Sequence, residues 1–121
     1  MNRVALALLL AAAGVASAAP APNGKLTYTA SCAGCHGLKG EGGTGGLSPN
    51  MKATQKVSFA VFRKAMLEGV GFKGKKFQPV MPTFGKTGLT HGYGQRPSGK
   101  APTDAELKAL YNYIRTLPAV K

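Results

Sequence analysis

Cys32-Ala33-Gly34-Cys35-His36 places two thiols three residues apart, with an imidazole immediately after them. On one helical turn or tight loop, that spacing suits two thioether bonds to the vinyl groups of a haem, with the histidine ring turned onto the iron. A bare Cys-x-x-Cys has rivals, and each meets an obstacle. Zinc wants four ligands, whereas the chain has two cysteines and two histidines, with His91 far away in a glycine-rich stretch. A thioredoxin-type pair follows a strand inside a βαβ pattern, which is not visible here. A disulfide would close a very short loop and restrain little chain. The reading taken is one covalently attached haem c per chain, held through Cys32, Cys35 and His36.

Outward from the motif, the start of the chain agrees with that chemistry. Arg3 supplies a positive n-region, Val4 to Val15 is an uncharged Leu/Ala run, and Ala16-Ser17-Ala18 fits a small-x-small cleavage site. Residues 1–18 therefore read as a cleaved signal peptide and 19–121 as a single domain. The apolar run is short for a membrane span and contains Gly14. The expected location is exported, periplasmic or otherwise extracytoplasmic, where thiols need protection only until haem is attached. A domain of this size buries a modest core by itself, and a large flat apolar cofactor can complete it. Seventeen glycines imply long irregular segments between few helices. No β-hairpin pattern and no internal repeat stands out.

Charge sets the second expectation. Without Arg3 the chain keeps 15 basic against 4 acidic residues, a formal charge of +11. A broad positive field of that kind favours acidic redox protein partners. Nucleic acid is a poor candidate, because no recognition helix or aromatic-basic interleaving appears. Anionic lipid headgroups stay open as a surface contact. The chain is expected to be a monomer unless it is a subunit of a complex.

Periodicity and caps place three helices. Asn23 caps a first helix from about Gly24 to Cys35, on which Gly24, Tyr28, Cys32 and Cys35 share a face. Ser58 caps a second, with Phe59, Phe62 and Met66 on one stripe and Gly69 at its end. Thr103 and Glu106 form a capping box for the third, where Leu107, Leu110, Tyr111 and Ile114 recur at helical spacing until Pro118. A ligating histidine usually donates its free ring N–H to an oxygen, and Pro49 is a candidate for that carbonyl. Gly71 to Lys76 reads as a basic loop.

A second iron ligand has three methionines to come from once Met1 is removed with the signal segment: Met51, Met66 and Met81. Met66 lies on a core stripe, and Met51 follows the turn expected on the histidine side. Met81 sits between Val80 and Pro82, in a segment (77–85) expected to be extended and stiff. His91 competes with it, since imidazole binds iron well. Residues 85–102 are long for a connection without secondary structure.

With Gly24 and Tyr28 before the attachment motif, Ser48-Pro49-Asn50-Met51, Met81-Pro82, and Leu110 with Tyr113, the chain resembles the class I (mitochondrial-type) cytochromes c, especially small bacterial ones, over residues 23–119. The resemblance implies an all-α small cytochrome c fold: three or more helices wrapped around one haem, joined by glycine-rich loops. It implies that the first and last helices cross with a glycine at the contact. It also implies that the Pro49 carbonyl accepts from His36, that Met81 is the sixth ligand, and that Met51 packs on the haem. The stretch from Met81 to Thr103 is longer than that family usually has.

The leading functional expectation is a carrier of single electrons between respiratory partners, not an enzyme. A haem-bearing electron-transfer subunit of an exported oxidoreductase complex, oxidising sulfur compounds or alcohols for example, is the alternative, with 85–102 as its interface. A five-coordinate sensor or peroxidase is the third reading.

Overall fold

The computed structural model describes residues 21–43, 49–92 and 94–118. The expected signal segment lies outside these residues, as do Ser48 and Tyr93. Five helices carry the described chain: α1 Gly24–Ser31, α2 Ala33–His36, α3 Phe59–Glu68, α4 Phe84–Thr87 and α5 Asp104–Thr116, with a 3₁₀ turn at Thr54–Lys56. Among the described residues the one β-type pairing is an isolated antiparallel bridge between Val70 and Lys76. The architecture is the all-α one expected.

The caps read from sequence are in place. Asn23 Oδ1 accepts the Leu26 N–H at 3.1 Å, and Ser58 Oγ accepts the Val61 N–H at 3.3 Å. Gly69 ends α3 in the left-handed region, with φ 69°. Thr103 and Glu106 close the reciprocal box at the start of α5.

The first helix departs from expectation. Cys32 leaves helical geometry (φ −122°, ψ −39°), so one helix to Cys35 becomes two short ones. The Cys32 N–H still bonds the Tyr28 carbonyl at 2.8 Å, while the Cys32 carbonyl starts a fresh turn by accepting the His36 N–H at 2.9 Å. Restarting the turn breaks the shared face. Cys32 remains buried beside Tyr28, and Cys35 is turned outward.

Packing between α1 and α5 organises the core. A Cβ on Gly24 would collide with the Ala109 carbonyl oxygen and lie 3.0 Å from Tyr113 Cβ, so the two backbones meet where a side chain cannot fit. The glycine-mediated contact implied by the resemblance is present. Below it, Tyr28 is wholly buried and its ring lies 5.5 Å from that of Tyr113. The Tyr28 hydroxyl donates to the Gly37 carbonyl at 2.7 Å. Burial pushes this phenol well up, reinforced by the nearby Cys32, Glu41 and Tyr113 charges, so it remains a donor. On α5, Leu107, Leu110, Tyr111 and Ile114 are buried as the pattern required, and the Tyr111 hydroxyl donates to the Val57 carbonyl at 2.7 Å.

The stretch 85–102 is not a loose connection. It begins inside α4, where Gly85 presses against the Leu67 carbonyl at the end of α3. Leu89 is completely buried. Thr90 is bonded to α1 in both directions: its N–H donates to Ser31 Oγ at 2.9 Å, and its carbonyl accepts the Ser31 hydroxyl at 2.8 Å. The Ser98 and Gly99 N–H groups return to the carbonyls of Leu89 and Thr87. The segment around Met81 is also less extended than expected. The Met81 N–H closes a turn onto the Gln78 carbonyl at 2.9 Å, with Pro79 and Val80 at its corners.

Gly24→Ala tests the helix contact. Alanine should gain about 1 kcal/mol of helix propensity over glycine, but the collision should cost more, leaving the haem-loaded protein about 1–3 kcal/mol less stable in denaturant titration. Gly34→Ala, where a Cβ meets nothing within 4 Å, should show no such loss.

Candidate haem-binding site

Cys32, Cys35, His36 and Met81 all line one cleft of about 400 Å³, a size usual for cofactor sites. Its walls are mostly apolar. Phe62 and Met66 come from α3, Leu110 and Ile114 from α5, Phe72 and Phe77 from the segment after α3, and Met51 from the turn after Pro49. These are the long-range partners of the motif, and they come from four separate stretches of chain.

His36 is buried, and its Nδ1 lies 2.8 Å from the Pro49 carbonyl. A carbonyl only accepts, so Nδ1 carries the hydrogen and Nε2 keeps its lone pair for a metal. This is the contact the resemblance implied. Cys32 is buried in the apolar wall, and burial pushes its thiol up to about 12, with the neighbouring Cys35 adding to the shift. The thiol is thus held neutral, the form an apolar wall tolerates. Cys35, in contrast, is exposed at the rim. Met51 is buried against the cleft, as expected, and Met66 is core as well as wall.

His91 is committed elsewhere. Its Nε2 lies 2.8 Å from Glu106 Oε2 on α5, and its Nδ1 lies 3.2 Å from Thr27 Oγ1 on α1. Both ring nitrogens are occupied, and the ring is not part of the cleft lining. Met81 is half-buried, packed against the core and on the lining. Lys75 and Lys76 of the basic loop line the cleft, whereas Lys39, Lys73 and Lys86 do not.

Two thiols, an imidazole with a free nitrogen and an extended apolar cleft suit a flat, apolar, iron-bearing macrocycle. Among the described residues no group of three or more His, Cys, Asp or Glu side chains could hold a bare metal ion. The fold and cleft therefore define a small all-α protein built around a covalently bound haem. The cytochrome c family model matches residues 21–118, and the chain belongs to that family. The family binds covalently attached haem c and works in electron transfer; Cys32 and Cys35 supply the thiols of its attachment motif. Among solved structures, the KustC0563 c-type cytochrome is similar at 22% identity and a TM-score of 0.48, the match covering 82% of this chain and 99% of that one. No curated protein sequence matches. No helix among the described residues is long and apolar enough to cross a membrane.

Sequence reasoning missed Thr54, Phe72 and Phe77 as wall residues. Phe72 and Phe77 stand on either side of Lys73-Gly74-Lys75-Lys76 and give no periodic signal, and Thr54 lies in a short 3₁₀ turn. Because so many core side chains border the cleft, haem is expected to supply much of the folding free energy through ligand linkage. Cys32→Ala or Cys35→Ala should weaken covalent attachment. The haem-free mature chain should lose most of its far-ultraviolet helix signal, and a haem-free protein with native-like helix content would refute the expectation.

Proposed function

We propose that the protein is a one-electron carrier whose haem iron is held between His36 Nε2 and Met81 Sδ. The observation that carries this reading is the His36–Pro49 contact, which leaves one ring nitrogen free on a cleft also lined by Met81. The commitment of His91 to Thr27 and Glu106 supports Met81 over its competitor. When bound, haem c supplies a one-electron couple between ferric and ferrous iron. The neutral imidazole and the soft thioether favour the reduced state and raise the potential. The apolar walls act in the same direction by disfavouring extra charge. If His36 and Met81 both hold the iron, a substrate would have no place on it, which favours carriage over catalysis.

Export to an extracytoplasmic compartment and acidic partners complete the proposal. Glu41 accepts its neighbour's Lys39 N–H, Asp104 pairs with Arg63, and Glu106 is shared by Thr103 and His91. Among the described residues no lysine forms an ion pair. The lysine charge is therefore free to steer an acidic surface toward the rim formed by Lys75, Lys76, Val80 and Cys35.

Met81→Ala should abolish the weak near-infrared band of thioether-bound ferric iron and lower the potential. His91→Ala should keep both while destabilising the fold by about 1–2 kcal/mol, through loss of two hydrogen bonds to partly buried partners. A band that survives Met81→Ala would refute the ligand assignment. Steering has its own measurement. Stopped-flow electron transfer to an acidic redox protein should slow severalfold as ionic strength passes about 0.1 M, where screening acts over about 10 Å. Lys75→Gln with Lys76→Gln should flatten that dependence, and salt-independent rates would overturn the steering.

A further inference from the structure

Residues 85–102 carry Lys86, Arg96 and Lys100 and no carboxylate. All three cations are exposed, and none forms an ion pair among the described residues. The two arms of the segment lie side by side. The Gly99 N–H donates to the Thr87 carbonyl at 2.9 Å and the Ser98 N–H to the Leu89 carbonyl at 3.1 Å. Gly88 rests against Ser98 Oγ and the Lys100 carbonyl, a fit that a side chain would prevent. Lys86 and Lys100 therefore leave neighbouring runs of backbone, and Arg96 stands two residues before Ser98. The next carboxylates along the chain are already committed, Asp104 to Arg63 and Glu106 to His91 and Thr103.

We propose that this strap is a second docking face, separate from the haem cleft, and that it takes an acidic segment of a protein partner. None of its described residues lines the cleft. A chain bearing carboxylates meets three unpaired cations there, one of them a guanidinium able to grip a carboxylate with two N–H groups. The backbone beneath is already anchored by buried Leu89, by the Ser31–Thr90 exchange and by His91, so binding has little loop to order. The exposed run Gly94 to Ala101 has no large apolar side chain to enter a bilayer, which favours a protein surface over a lipid one. A partner held on the strap leaves the rim at Lys75 and Lys76 open. The face holds the protein in place, and electrons pass elsewhere.

The inference depends neither on Met81 as a ligand nor on steering at the rim. The test titrates the haem-loaded, reduced, isotope-labelled protein with an oligoglutamate peptide, at about 0.15 M ionic strength, and follows amide resonances. The Gly88, Gly99 and Lys100 signals should shift and saturate. Lys86→Gln, Arg96→Gln and Lys100→Gln together should weaken binding at these amides about tenfold, the combined effect of three exposed ion pairs. Lys39→Gln, Lys52→Gln and Lys56→Gln remove the same charge from other exposed positions. They should change it less than about twofold, because screening confines each charge to about 8 Å. Lys75→Gln with Lys76→Gln should leave the strap signals responding, so failure at the rim and failure here are separable. Strap amides that do not move in the parent protein overturn the proposal. So does equal weakening by the two triple variants, which would mean that net charge alone is read. Strap amides that respond to vesicles of anionic phospholipid and not to the peptide would assign the face to a membrane and overturn it as well.

Discussion

A close backbone approach between α1 and α5 sets the positions of almost everything else. Gly24 lies directly against the Ala109 carbonyl, and α1 and α5 are fixed relative to each other by that contact. From there α1 leads through Tyr28 to Cys32, while α5 leads through Leu110 to Ile114, so the two walls of the cleft are set by one crossing. A side chain at the crossing would push the helices apart by the width of a methyl group. Close-packed interiors transmit such shifts instead of absorbing them. The attachment cysteines, eight and eleven residues along the chain, would then lose their register with Leu110 and Ile114.

From this frame follows a division between buried and exposed chemistry. The histidine side is finished with neutral hydrogen bonds, the Pro49 carbonyl on His36 and the Gly37 carbonyl on Tyr28. No ionised side chain is needed in either. Two of the four carboxylates are spent on a helix start and on clamps: Asp104 on Arg63 across α3 and α5, Glu106 on the α5 cap and on His91. The exposed Arg63–Asp104 pair contributes little stability. The effect of these carboxylate contacts on the field is larger, because they withdraw negative charge from the lysines. A net positive surface repels itself and opposes compaction, yet it speeds association with an acidic surface. The distribution favours encounter over maximal stability.

Local signals in the sequence were sufficient for the attachment motif, the caps of α1, α3 and α5, and the buried stripe of α5. Each is a pattern over a few residues with a direct physical cause, and the structure places them as read. What the sequence hid depends on distant partners. Leu89 stands alone in a glycine- and lysine-rich run, so no periodicity marks it as core, yet it is fully buried. The Ser31–Thr90 pair spans 59 residues, and nothing near either residue announces it. The break at Cys32 had no glycine or proline to predict it. Phe84–Thr87 is too short to show a helical face, and its fit against α3 depends on Gly85 meeting Leu67.

The extra length between Met81 and Thr103 raised the question of what it covers. None of its described residues from Thr83 to Pro102 lines the cleft. The segment instead packs outside α1 and α5, held by Leu89 in the core, Thr90 on Ser31, and His91 between Thr27 and Glu106. These anchors have different chemistries, so no single change in solvent releases all of them. Burial of Leu89 resists salt, and the Ser31–Thr90 exchange resists pH. The His91 ring keeps a partner on each nitrogen in either protonation state, because a threonine hydroxyl can donate or accept. A loop fastened in this way behaves as part of the scaffold. It can tie α1 to α5 beside their crossing while leaving the rim near Lys75, Lys76 and Val80 uncovered, so lengthening the chain here need not obstruct the face through which electrons would pass.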